Sequence, residues 1–365
     1  MSAAKKILHI SSGFQMHRGG YLPELDLAYE SWGELNSARD NAVLLFTGLS
    51  PSAHATSSAE DPSPGWWEEM VGLGRAIDTR RFYVVCVNSL GSCFGTTGPA
   101  TVDPRTGQPY RLDFPVLSIE DIAAASYEVV KALGILRLHS VVGASMGGMT
   151  ALAFCTLYPK AADGLVTISS ASRAEPFAIA LRSLQREMIR SDPAWNGGNY
   201  DLATPPVLGM RLARKLGMIS YRSAEEWQRR FGRERTAAEH DPGDSFGADF
   251  EVESYLEAQA NKFVGRFDPN CYLYLSRAMD LFDVGEHSGC VATELGKSTV
   301  RRALVIGAES DFLFPIHQQE ELAECLEHPE REVDFVSLPS IQGHDSFLVD
   351  MDRFRPAVAA YYDRP

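Results

Sequence analysis

A serine set between two glycines, Gly143-Ala144-Ser145-Met146-Gly147, directly follows the apolar run His139-Ser140-Val141-Val142. That spacing suits a strand that turns sharply into a helix and holds the Ser145 hydroxyl on a strained turn, where a base can deprotonate it. The glycines keep Cβ atoms away from a turn that has no room for them. Such a nucleophile needs a base and an acid that orients the base, and both follow in the order serine, acid, histidine. Asp311 comes just after the strand-like run Arg302 to Gly307, and His344 lies in the loop Ile341-Gln342-Gly343-His344-Asp345-Ser346 after the strand-like run Val333 to Leu338. Glu309 is a rival for the acid role, less well placed beyond the strand end.

The chemistry these types perform together is acyl transfer. His344 takes the proton of Ser145 as the hydroxyl attacks a carbonyl, a general-base contribution of about 10²–10⁴-fold. Asp311 fixes the imidazole tautomer and stabilises the imidazolium. Two backbone N–H groups are expected to hold the tetrahedral oxyanion: Met146, next after the nucleophile, and Phe46, at the end of the run Val43-Leu44-Leu45-Phe46. Losing one such donor costs about 3–4 kcal/mol.

The elements that must position these groups read as an α/β-hydrolase fold, a mostly parallel sheet with helices on both faces. Strands are expected at Leu25 to Glu30, Asn41 to Phe46, Phe82 to Val87, His139 to Val142 and Gly164 to Ser169, with a helix from Ile119 to Gly134. Met149 to Tyr158 is a largely apolar helix stopped by Pro159. Between about residues 171 and 295 the β-branched runs give way to Arg, Glu, Met and Leu, and the strand pattern resumes at Arg302. The expected organisation is therefore a discontinuous core, 1–170 with 296–365, and a helical lid at 171–295. The glycine-rich stretch Leu90 to Pro99 lacks the lysine of a phosphate-binding loop and the spacing of a dinucleotide fingerprint, so it is read as a tight wall of the site.

Composition excludes several classes. Lys+Arg number 34 against 48 Asp+Glu, a net charge of −14, which argues against nucleic acid or an anionic membrane as partner. No run of about 18 apolar residues occurs, and Ile7 to Ile10 is too short and interrupted for a signal peptide, so a cytoplasmic location is expected. The six cysteines show no C-x-x-C pairing, which points to reduced thiols and to no metal site.

Several stretches are similar to the homoserine and serine O-acyltransferases, a branch of the α/β-hydrolases. They are Gly65-Trp66-Trp67, Val71-Gly72-Leu73-Gly74, the Asn88 to Pro99 loop, Leu112-Asp113-Phe114-Pro115, Gly143 to Met149, Asp192-Pro193-Ala194-Trp195-Asn196-Gly197-Gly198 and Gly343-His344-Asp345-Ser346-Phe347-Leu348. Together they span nearly the whole chain. The resemblance implies a ping-pong transfer in which Ser145 accepts an acyl group from acyl-CoA, the co-substrate, with no permanently bound cofactor, and His344 then activates an amino-acid hydroxyl. It also implies that Arg214, Tyr221 and Asp345 hold the amino acid, and that the protein is a homodimer assembled through the lid helices. The fork of Arg214 suits a carboxylate, and Asp345 suits an ammonium.

Two departures bear on the substrate. The homoserine acetylators of this family usually carry two glycines before the nucleophile, where this chain has Gly143-Ala144. The stretch Ser52-Ala53-His54-Ala55 looks like the version in serine O-succinyltransferases, so these four residues are expected to select the shorter amino acid. A succinyl donor carries a free carboxylate, for which Arg186 is the expected cation, with Arg190 in reserve. The function expected is therefore succinyl transfer from succinyl-CoA to L-serine, feeding cysteine biosynthesis. Homoserine O-acetyl- or O-succinyltransfer and esterase or thioesterase hydrolysis stand as alternatives. One methylene in a pocket is worth only about 1–3 kcal/mol.

Overall fold

Eight strands form one sheet in this computed structural model, which describes residues 4–236 and 246–364. They are β1 Lys6–Ile10, β2 Leu25–Trp32, β3 Ala42–Phe46, β4 Tyr83–Val87, β5 Leu138–Ala144, β6 Ala162–Ile168, β7 Arg302–Ala308 and β8 Glu332–Leu338. Their order across the sheet is β1-β2-β4-β3-β5-β6-β7-β8. The pairs from β4 to β8 are parallel, while β1 and β2 are antiparallel additions at one edge. All five residues of β3 are buried, as a continuous apolar run in a central parallel strand requires. β1 was not among the expected strands; its alternating exposed and half-buried residues mark it as an edge strand.

Helices cover both faces, and each face has its own core. On one side lie α1 Ile119–Ala132, α2 Met146–Leu157 and α9 Ile316–Leu326, whose apolar residues join Leu44, Phe46, Val141 and Leu165. On the other, α11 Met351–Tyr362 and the segment around Trp67 pack over Val43, Leu45, Val142 and Ile306. The start of α1 is fixed by a capping box: the Ser118 hydroxyl accepts from the Asp121 N–H while the Asp121 carboxylate accepts from the Ser118 N–H.

Between β6 and β7 the described residues add no strand to the main sheet. They carry α3 Pro176–Ser191, α4 Val207–Ser220, α5 Ala224–Phe231, α6 Glu251–Phe263, α7 Pro269–Leu281 and α8 Val291–Gly296. Residues 237–245, inside the expected 171–295 lid, lie outside the described residues. α3 packs against α4 and α7, and α4 against α6, whereas α8 packs back on α2 and α9 of the core. Another short helix, α10 Ser346–Val349, follows the loop after β8. All six cysteines are free, with Cys290 exposed rather than buried.

The glycine-rich loop after β4 departs from its expected role as a wall of the site. Its Thr96 and Thr97 hydroxyls accept from the Ala28 and Asp26 N–H groups of β2, so it completes the backbone pairing of an edge instead.

Candidate active site

Ser145 sits between the end of β5 and the first residue of α2, with φ 55° and ψ −124°. A non-glycine residue in that region is strained, and the surroundings must hold it there. They do so by close packing: a Cβ on Gly143 would stand 2.0 Å from the Gly147 carbonyl oxygen, so only glycine fits. The Ser145 carbonyl accepts from the Ser170 hydroxyl at 2.8 Å and from the Gly148 N–H at 3.0 Å, which locks the turn.

The structure brings Ser145, His344 and Asp311 into one hydrogen-bonded line. His344 Nε2 lies 2.8 Å from Ser145 Oγ, and His344 Nδ1 lies 2.7 Å from Asp311 Oδ2. With Nδ1–H donating to the carboxylate, Nε2 is left as the acceptor for the Ser145 hydroxyl, which is the tautomer a general base needs. The other oxygen of Asp311 accepts from the Leu313 and Phe314 N–H groups, both at 2.9 Å. Asp311 is 2% exposed and His344 5%; Phe314 stacks on the imidazole at 5.0 Å. Glu309, by contrast, is exposed and accepts from the Ser337 hydroxyl, facing away from the histidine.

A cavity opens at this line. The core contributes Gly48-Leu49-Ser50-Pro51, Trp66, Ser145, His344 and Asp345, and the inserted helices contribute Leu181, Arg182, Gln185, Tyr221, Tyr272 and Met279. The Met146 N–H opens α2 beside Ser145. Phe46 is not part of the wall: as the last residue of β3 it pairs in register with Val87 and Gly143, and its ring packs on Phe154. The chain reaches the cavity only two residues later, at Gly48 and Leu49, because β3 must end before its backbone can turn toward the nucleophile.

Of the residues expected to hold the amino acid, Tyr221 and Asp345 line the cavity. The Asp345 N–H donates to the Tyr221 carbonyl, and its carboxylate accepts from Arg222 Nε at 3.1 Å. Arg222 was not foreseen; as an arginine next to Tyr221 it had no motif to mark it. Arg214 does not line the cavity. Its guanidinium lies 4.6 Å above the Phe263 ring, close enough to Tyr221 that its charge offsets part of the rise burial gives that hydroxyl.

The Ser52 to Ala55 stretch is likewise outside the cavity. Ala53 and Ala55 are buried in the core, and the His54 ring turns toward Glu30 of β2. Only Ser50 and Pro51, just before it, touch the space by Ser145.

Arg186 also lies elsewhere. It donates to the Ser276 hydroxyl at 2.9 Å, pairs with Asp280 at 2.6 Å, and faces an outer groove together with Arg190 and Arg277. The cation in the cavity is Arg182, one helical turn earlier. It is 5% exposed; Nε donates to Asp280 Oδ1 at 2.5 Å, while Nη1 and Nη2 are buried with no protein partner. A buried guanidinium with two free donors is costly unless an anion arrives. The signal for it in the sequence was the spacing of Arg182 and Gln185, polar groups on a helix face that also carries Ala178 and Ile189.

No group of His, Cys, Asp and Glu able to hold a metal occurs among the described residues. No described helix is long and apolar enough to cross a membrane.

Comparison with known proteins agrees with this geometry. An alpha/beta hydrolase fold profile matches residues 41–348. A serine O-succinyltransferase of Litchfieldella anticariensis is 56% identical over 362 residues, 99% of either chain. An L-serine/homoserine O-acetyltransferase of Streptomyces lavendulae is 55% identical over 363 residues, 98% of this chain and 97% of that one. Among solved structures, homoserine O-acetyltransferase from Bacillus anthracis superposes with a TM-score of 0.91 at 26% identity, covering 99% of this chain and 97% of that one.

Proposed function

The chain belongs to the homoserine and serine O-acyltransferases of the α/β-hydrolase superfamily, as an enzyme that acylates an amino acid, and on that footing we propose that it transfers the succinyl group of succinyl-CoA to the hydroxyl of L-serine. Relatives named serine O-succinyltransferase match at 54–57% identity over nearly the whole chain, and one named L-serine/homoserine O-acetyltransferase matches at 55%, so similarity favours the succinyl donor without giving a residue for it. Arg182 carries the choice. Its two free Nη groups form a fork for one carboxylate at the depth of the nucleophile, and a succinyl group has that carboxylate while an acetyl group does not. In this role Arg182 replaces Arg186, whose guanidinium is occupied by Ser276 and Asp280.

The transfer proceeds in two half-reactions. Ser145 Oγ attacks the thioester carbonyl as His344 Nε2 takes its proton. The N–H of Met146 and that of Leu49, in place of Phe46, hold the oxyanion. Collapse breaks the carbon–sulfur bond, and His344 returns the proton to the departing CoA thiolate. Serine then enters, its ammonium near Asp345 and its carboxylate toward Tyr221, on whose hydroxyl the charge of Arg214 acts from outside the cavity wall. His344 takes the proton of the serine hydroxyl, which attacks the acyl-Ser145 ester, and collapse releases O-succinylserine with the proton returned to Ser145 Oγ. Apolar walls from Leu49, Leu181, Met279, Leu313 and Phe347 limit water at the ester, favouring transfer over hydrolysis.

The test is a matrix of acetyl-CoA and succinyl-CoA against serine and homoserine, following CoA release and the acylated product together. Succinylserine as the dominant product supports the proposal. Acetyl transfer at equal or higher efficiency would assign this chain the donor named for the Streptomyces relative, and free succinate in the presence of serine would make it a hydrolase. We also place a homodimer contact on the inserted helices, where Phe177 and Leu184 of α3 and Leu208, Leu212 and Ile219 of α4 are exposed. The setting of the reaction is the cytoplasm.

A further inference from the structure

The Ser52 to Ala55 segment presents no surface to the substrate, yet it is tied to a residue that does. Trp66 lines the catalytic cavity. Its indole N–H donates to the Ser52 carbonyl at 3.1 Å, its backbone N–H donates to the His54 carbonyl at 3.2 Å, and the Trp67 N–H donates to the Ala55 carbonyl at 2.8 Å. The two segments run so close that a Cβ on Gly65 would stand 2.2 Å from Ala55 backbone atoms. Trp67, stacked on Trp66 at 5.3 Å, anchors the far side by donating to the Phe347 carbonyl.

One side chain closes this clip. His54 Nδ1 lies 2.8 Å from Glu30 Oε2 of β2, and Nε2 lies 2.9 Å from the Ser63 carbonyl, at the start of the segment that carries Trp66. A carboxylate and a carbonyl can only accept. Both ring nitrogens must therefore donate, and a ring that donates from both is the imidazolium. The Ser63 hydroxyl, 3.3 Å from Nε2, does not change this, because it donates its own hydrogen to Asp61 at 2.6 Å.

From this geometry we infer that His54, held as an imidazolium by Glu30, is a positioning residue for acceptor selection: it clamps the 52–55 segment to the 63–67 segment and so sets the Trp66 wall. The inference rests on the amino-acid acyltransferase reading and deepens it, because the four residues that mark this chain act on the acceptor through Trp66 without touching it.

The groups that face His54 agree with its charge. Glu30 approaches from β2 and Asp61 from the turn before Ser63; Cys86 of β4 stands opposite Glu30 in register, and Glu68 is taken up by Ser57 and Gly65. Burial works against the charge, but the Glu30 carboxylate and the Ser63 carbonyl outweigh it, and the ring titrates above its ordinary value. The clamp is therefore present below the raised value and is lost as pH rises through it, when one nitrogen gives up its proton and Glu30 stays buried without a cation.

The test compares wild type with His54→Asn and Glu30→Gln, using one acyl donor with L-serine and L-homoserine from about pH 6 to about pH 9. The preference for serine, as a ratio of kcat/KM, is expected to fall by about tenfold in His54→Asn, mainly through KM, while the first burst of CoA release is kept. In wild type that preference declines with rising pH, and in His54→Asn it is flat. Unchanged selectivity with a wild-type pH profile would overturn the inference. Should the variants not fold, nitrogen-15 correlation spectra of wild type decide it: both His54 nitrogens protonated at neutral pH supports the clamp, and a neutral tautomer sinks it. A wild type without acyl transfer would undo the functional reading instead, and the spectra would still report on the ring.

Discussion

Arg182 and Arg186 stand one turn apart on α3 and hang from the two oxygens of the same carboxylate, Asp280. Only the first reaches the catalytic cavity. Residues four apart share a helix face, so the sequence could place both arginines on one stripe but not say which end of it meets Ser145; the tilt of α3 decides that. Arg182→Ala is expected to lower kcat/KM for succinyl-CoA by about 100-fold or more, the worth of two hydrogen bonds to a charged group, while acetyl-CoA use changes little. Asp280 keeps Arg186, so the variant is not left with a buried lone charge. Equal losses with both donors would move Arg182 to the amino-acid carboxylate and free Arg214 of that role. The line of Ser145, Asp311 and His344 was legible because each type follows a strand in a fixed order. Phe46 stays outside the cavity wall, which begins at Gly48, because a strand's last apolar residue does not reveal where its backbone turns.

At the scale of elements, the parallel strands were readable from their apolar runs, since a strand buried on both faces has no polar alternation to confuse. The edge strand β1 escaped notice for the opposite reason: half its residues face solvent. The Ser52 to Ala55 segment shows a different limit. A sequence signal can mark a stretch as distinctive without saying whether it touches the ligand or holds something that does, and here we infer the second, from the hydrogen bonds that Trp66 donates to carbonyls over ten positions away. Among the helices, α1 is held at its start by Ser118 and Asp121, whose second oxygen also accepts from the His17 N–H at 2.6 Å. Ser118→Ala should cost about 1 kcal/mol, seen as a lower urea midpoint, with kcat unchanged because α1 contributes nothing to the cavity. A fall in kcat matching the loss of stability would show that α1 and the elbow are coupled.

For the whole molecule, the insertion leaves the sheet after β6 and returns to its neighbour β7, so the six helices of its described residues are added without disturbing the strand order that positions the nucleophile, acid and base. The apolar residues it leaves exposed support the proposal that its outer face is covered by a second copy. Sedimentation should show a dimer for wild type and a monomer for Leu208→Glu combined with Leu212→Glu; a monomeric wild type would remove the proposal. The fork of Arg182 has a thermodynamic consequence as well. Nη1 and Nη2 of Arg182 have no partner within the protein, and a hydrogen bond from a charged donor to a carboxylate contributes about 1.5–3 kcal/mol. On the proposal that the fork takes the donor's carboxylate, binding of that anion stabilises the fold as well as placing the reactant. Succinate alone, which cannot react, should raise the melting temperature of wild type and leave that of Arg182→Ala where it was.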